Sequence, residues 1–148
     1  MSSNVIVSPY ASEDAPACAE VFERAWNAGH PYAPRWIGLD AFKNAIMGRS
    51  VLVARTEQGR IVGFAGVEVP DSFIQHLYVD PGFARQGIGR KLLQAAVELA
   101  GGQATLKCQR KNAGALRFYR REGWTEGEEG GDGDERWVRM RSPRLDVP

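Results

Sequence analysis

Apolar residues recur along this chain with two periods, two for strands and near 3.6 for helices, and the switches between them predict its elements. Asn4 to Ser8 is a short β-branched alternation and reads as a first strand. Ser12 and Asp14 offer N-caps for a helix carrying Ala17, Val21, Phe22 and Trp26 at helical spacing. Gly29 to Ile37, rich in proline and aromatics, is a loop, and Leu39 to Met47 is a second, short helix. Val51 to Arg55 and Arg60 to Val69 read as strands joined by the turn Glu57-Gln58-Gly59, a hairpin signal. Pro70 and Asp71 interrupt the chain before another strand, Phe73 to Val79. Ile88 to Ala100 then forms an amphipathic helix whose stripe is Ile88, Leu92, Leu93, Ala96 and Leu99, stopped by Gly101-Gly102.

Ala104 to Gln109 is a strand, and Asn112 caps a helix that runs to Glu122 before Gly123. Trp124 and Thr125 open a strand, Gly127 to Asp134 reads as a flexible acidic loop, and Arg136 to Arg141 closes the pattern as a strand. The order β-α-α-β-β-β-α-β-α-β-β predicts an α/β fold, a mixed sheet of seven strands flanked by four helices. Residues 73–109 form its one parallel, right-handed crossover. Neither a repeat nor an interdomain linker divides the 148 residues, so one domain over 1–148 is expected.

Composition changes this picture little. The 43% hydrophobic and 25% charged fractions place the chain among ordinary globular proteins, and a net charge of +1 gives no bulk field for nucleic acid or a membrane surface. Cys18 and Cys108 have no CxxC spacing and no ligand cluster, so no metal site is inferred and a reducing compartment is the simpler setting. With no apolar run of membrane-spanning length and no leader pattern, the expected location is cytoplasmic.

The stretch Leu77-Tyr78-Val79-Asp80-Pro81-Gly82-Phe83-Ala84-Arg85-Gln86-Gly87-Ile88-Gly89-Arg90-Lys91 carries the clearest chemistry. A strand ends, a Gly-x-Gly turn follows, and a helix begins with cations in its first turn. The first amides of a helix have no internal partner and sit at the positive end of its dipole, so glycines there let backbone close around a phosphate. Cations at that end are unfavourable by about half a kcal/mol each unless an anion sits among them. A dinucleotide fingerprint would want glycine where Leu92 stands, and a P-loop would need Gly-Lys-Ser/Thr. An ordinary tight strand-to-helix turn is the alternative for a bare Gly-x-Gly.

The surroundings of that turn resemble the acetyl-CoA signature of the GNAT N-acetyltransferase superfamily, Gln/Arg-x-x-Gly-x-Gly/Ala after a strand ending in Val-x-Pro. Gly87 and Gly89 hold the glycine places, Val79 and Pro81 mark the strand end, and Ala84 departs from the expected Gln or Arg, with Arg85 its neighbour as substitute. A second stretch, Asn112 to Trp124, looks like the family's Asn-x-x-Ala-x-x-Phe-Tyr-x-x-x-Gly-Phe, with Trp124 in the last place. Asn112 and Tyr119 lie two helical turns apart and face one way. The resemblance covers roughly residues 73–124. It implies acetyl-CoA as cosubstrate, bound by Leu77, Tyr78 and Val79 along a splayed strand, by Arg85, Gln86, Gly87, Ile88, Gly89, Arg90 and Lys91 at the pyrophosphate, and by Asn112.

The resemblance further implies direct attack of a neutral amine, from a small molecule or an exposed protein site, on the acetyl thioester. Tyr119 is the candidate general acid for the departing thiolate. The general base stays open among Glu68, Asp71, His76 and water; strand alternation places Ile74, His76 and Tyr78 on one side, and a bulge, which the resemblance implies for this strand, would scramble that parity. Trp26, His30, Tyr32 and Trp36 are placed by resemblance on one wall of the acceptor cleft, and the acidic loop is either a solvated loop, as charge runs usually are, or a second attraction for a cationic substrate. A homodimer through the C-terminal strands is the family habit, for which an apolar outer face at Trp137, Val138 and Met140 would be support. A non-catalytic acyl-CoA-binding regulatory module is the alternative function.

Overall fold

The computed structural model describes residues 4–145, so both ends of the expected 1–148 domain lie outside the described residues. The strands are β1 (Ile6–Pro9), β2 (Ser50–Arg55), β3 (Ile61–Glu68), β4 (Phe73–Val79), β5 (Thr105–Gln109), β6 (Thr125–Gly130) and β7 (Trp137–Arg141). The helices are α1 (Ala15–Gly29), α2 (Leu39–Ile46), α3 (Ile88–Leu99) and α4 (Ala113–Arg121). They build one seven-stranded sheet in the order β1-β2-β3-β4-β5-β7-β6, antiparallel throughout except between β4 and β5. The predicted mixed α/β architecture and its single parallel pairing are both present.

β3 lies in the first half of the sheet and is buried over Ile61–Val67, because helices cover it on both faces. On one face Phe22 of α1, Phe42 of α2, Val53 and Phe64 form an aromatic core. On the other, Ile88, Leu92, Ala96 and Val97 of α3 pack with Val62, Leu106 and Met140. Each side chain of this kind, fully buried, contributes about 1.5–3 kcal/mol. The buried stripe of α3 is therefore Ile88, Leu92, Leu93, Ala96 and Val97, while Leu99, expected within it, is 38% exposed. The last turn of α3 rotates Leu99 off the sheet and brings Ala100 in.

Two local expectations are corrected, and in β4 the bulge prevails over simple alternation. The acidic segment does not form a loop from Gly127, because β6 continues to Gly130 and pairs Glu129 with Val138 and Gly130 with Trp137. Its carboxylates are matched by arginines, Glu129 by Arg110 at 2.6 Å and Glu128 by Arg139 at 2.6 Å, which offsets the repulsion of adjacent like charges in a strand. Val138 and Met140 are fully buried, so the outer apolar face that would support a dimer is absent there. Strand parity also breaks in β4. Its pairing with β3 steps from Gly66–His76 to Val67–Ile74, leaving Gln75 as the extra residue. This bulge sends Ile74 to the α3 face and His76 and Tyr78 to the α1 face, instead of all three to one side.

Candidate active site

The parallel pair β4–β5 has one register position, Phe73 opposite Thr105. Beyond it the strands diverge, and the gap is a cavity of about 410 Å³. Leu77, Tyr78 and Val79 line one side of it, and Leu106 to Gln109 the other. Strand backbone turned toward such a gap keeps its hydrogen-bonding capacity, and an extended ligand carrying amides satisfies it. Asn112 and Tyr119 close the cavity from α4, with Trp26 and His30 at the end of α1.

Asn112 Oδ1 accepts the Ala115 amide at 3.2 Å, so this side chain both caps α4 and faces the cavity. Tyr119 packs its ring on Trp124 at 5.6 Å and is 8% exposed. Its hydroxyl has no hydrogen-bond partner among the described residues. Among the described residues the one fully enclosed polar side-chain atom without a partner is Arg49 Nε, so the phenol opens on the cavity. Burial pushes the Tyr119 phenol well above its ordinary value, with Cys108 and Tyr78 adding to the effect. Burial likewise pushes the Tyr78 phenol up to about 12 and the Cys108 thiol up to about 11. All three are protonated at neutral pH, which suits hydrogen donation and excludes an anion of their own in the cleft.

The turn from β4 into α3 lies beside this cavity. Asp80, 2% exposed, anchors it: one carboxylate oxygen accepts the Gly82 amide at 2.8 Å and the other faces Arg24 at 3.2 Å and Arg60 at 3.5 Å. Arg85 and Gly87 both have left-handed backbone, at φ 63 and 78. Arg85 pays for this in strain, of order 1 kcal/mol, while Gly87 adopts it freely. Gly87 is the N-cap of α3 with no side-chain cap on the first amides, and a Cβ built on it meets nothing within 4 Å. A Cβ at Gly89 would make ordinary contacts with Phe118 and Val79, so packing alone does not demand glycine there. An uncapped helix start under open space fits a pyrophosphate.

The cations of the turn divide. Arg85 has no ion-pair partner among the described residues, whereas Arg90 faces Glu122 at 3.3 Å and Lys91 donates to the Val5 carbonyl at 3.2 Å. In this structure the helical twist turns Arg90 toward the end of α4 and Lys91 toward the start of β1. Ile88 is 1% exposed, so only its backbone is available, and Gln86 remains on the turn.

None of the three side chains considered as base lines the cavity. Glu68 is held by Arg49 at 2.7 Å, and Asp71 sits in the short turn before β4. His76 donates from Nε2 to the Ala45 carbonyl at 3.2 Å within the aromatic core. Of the aromatic wall, Trp26 and His30 reach the cavity and Tyr32 binds its rim, its hydroxyl donating to Gln109 Oε1 at 2.9 Å. Trp36 is 84% exposed and stays outside. Sequence reasoning passed over Lys107, Gln109, Glu135 and Trp137, all of which line the cavity. Lys107 Nζ lies 4.3 Å over the Trp137 ring, a contact across β5 and β7 that no local pattern announces.

Residues 15–124 match the family model described as the Acetyltransferase (GNAT) family. The N-alpha-acetyltransferase RimI of Mycobacterium tuberculosis is 29% identical over 128 residues, which cover 81% of this chain and 78% of that protein. The peptidyl-lysine N-acetyltransferase YiaC of Escherichia coli is 27% identical over 112 residues, covering 74% and 75%. Among solved structures, PaiA N-acetyltransferase from Thermoplasma acidophilum in complex with coenzyme A superposes with a TM-score of 0.77. The identity is 17%, over 94% of this chain and 98% of that one, and the likeness speaks for the fold.

Proposed function

This chain belongs to the GNAT acetyltransferase family, with acetyl-CoA as its cosubstrate, and from that premise we propose transfer of the acetyl group to a primary amine of a protein or small molecule. The observation that carries the reading is the divergence of β4 from β5 beside an uncapped helix N-terminus. The pantetheine arm takes the open edge of Leu77–Val79, and the pyrophosphate takes the amides from Gln86 to Gly89 with Arg85 as counter-charge. The acyl end then lies near Tyr119 and Asn112, and the acceptor enters past Trp26 and His30. The two curated relatives, named for a protein α-amine and a peptidyl lysine, make exposed protein amines the first acceptors to test. No helix among the described residues is long and apolar enough to cross a membrane, and both cysteines are buried and free, which suits a cytoplasmic setting.

The acceptor nitrogen, once neutral, attacks the thioester carbon: a C–N bond forms and the C–S bond breaks. Tyr119 gives its proton to the departing sulfur and regains one from the acetylated nitrogen, so the phenol returns unchanged. The first experiment is calorimetry of acetyl-CoA with the native protein and with Gly87→Glu, at one salt concentration. Native binding, with affinity reduced at least about 100-fold in a folded variant, is expected, since the substitution adds left-handed strain and a carboxylate to the turn. No binding by the native protein overturns the reading. Thiol release with peptide acceptors then tests turnover against the binding-only alternative.

A further inference from the structure

His30 is held differently from the other histidine of the chain. Its Nδ1 lies 3.0 Å from the Trp26 carbonyl oxygen, which only accepts, so Nδ1 carries the hydrogen and Nε2 carries the lone pair. The ring is stacked on Trp26 at 3.8 Å and 10°, which leaves it one orientation. It is 6% exposed and lines the same cavity as Tyr119, yet Nε2 is not among the enclosed partnerless atoms. Gly29 seats this end of α1 against α4, since a Cβ there would come within 3.2 Å of Asn112 Nδ2.

We propose that His30 is the general base, taking the proton from the acceptor ammonium through Nε2 at the cleft. The proposal rests on the acetyltransferase reading and supplies the step that reading leaves open. The ammonium N–H bond breaks, its proton joins Nε2, and the freed lone pair of nitrogen becomes the nucleophile. The imidazolium later releases that proton to solvent, so one proton leaves per acetyl group transferred, while the second nitrogen proton reaches sulfur by way of Tyr119. Tyr32 lies beside the ring, with Arg35 on Trp26 and Lys111, paired with Asp134, on Tyr32; the other charged and titratable groups lining the cavity are Glu135, Lys107, Cys108, Tyr78 and Tyr119. Burial, opposed by the bond to Trp26 and aided by the charge of Arg35, holds the imidazole below its ordinary 6.5. His30 is accordingly neutral, and able to accept, from pH 6.5 upward.

The test uses the full chain and His30→Asn, whose amide keeps a donor for the Trp26 carbonyl and removes the base. Two probe peptides serve as acceptors, one with a free α-amine and one with a blocked N-terminus and a single lysine. In the variant, kcat/KM should fall about 100-fold or more, with acetyl-CoA affinity unchanged. The loss should be larger for the lysine, whose amine, with a pKa of about 10.4 against about 7.7–8.0, is the more protonated at pH 7. The acid limb of the native pH profile should vanish, leaving a rate that climbs toward the pKa of the amine. A variant that keeps the native profile overturns the proposal. Imidazole nitrogen NMR gives an independent reading: His30 should carry hydrogen on Nδ1 and His76 on Nε2, and the reverse at His30 overturns the assignment. If the native protein binds acetyl-CoA and acetylates neither peptide, the acceptor class fails, and the NMR result still decides His30.

Discussion

The two ends of the cleft are built in opposite ways. The end assigned to the cofactor comes from one continuous segment, β4 through the first turn of α3, with Asp80 tying its corner to Arg24 and Arg60. The acceptor end is assembled from the close of α1, the end of β5 and the turn before β7, which bring Trp26 and His30, Gln109, and Glu135 and Trp137 to one opening. Backbone geometry makes the first end, and side chains meeting across long separations make the second. The difference implies that substitutions at one end change acetyl-CoA affinity, and those at the other change the handling of the acceptor.

Tyr119 lies where the two ends meet and should give the largest effect. Tyr119→Phe removes only the hydroxyl, so turnover should fall by about 10²–10⁴ while calorimetric affinity for acetyl-CoA stays constant. Unchanged turnover would remove the phenol from the mechanism. Trp26→Ala should have a smaller, one-sided effect. It deletes a ring–ring contact worth about 0.5–1.5 kcal/mol and lowers acceptor kcat/KM by about 3- to 10-fold, with acetyl-CoA affinity intact. A change in acetyl-CoA affinity instead would show that the two ends are coupled.

The smallest effect is on stability. Burial holds His30 and His76 below 6.5 in the folded chain, so below that pH the unfolded chain binds more protons. Their contribution to stability is complete above pH 6.5 and declines as pH falls toward the lowered values. Thermal unfolding at pH 7 and pH 5 should show the decline, and a variant with both histidines replaced by glutamine should show less of it. An equal decline in that variant would assign the acid sensitivity elsewhere, with the Asp14–Arg55 pair as the next group to replace.

The sequence by itself determined the order of elements, the parallel crossover, the Gly-x-Gly turn and the pairing of Asn112 with Tyr119 on one helical face. These are local properties, set by period, capping and backbone conformation within about a dozen residues. Tertiary structure alone decided the rest. The extra residue at Gln75 depends on register against Gly66 and Val67, and it sends His76 into the core. Leu99 turns outward because of where α3 leaves the sheet, and the acidic segment becomes β6 because Arg110 arrives from the turn after β5 and Arg139 from β7. His30 was legible as an aromatic-wall residue, but its free Nε2 follows from the Trp26 carbonyl and from the docking of Gly29 on Asn112. A linear pattern reports which face a residue occupies within its own element; the atom that meets it from across the fold is set by packing between elements distant in sequence.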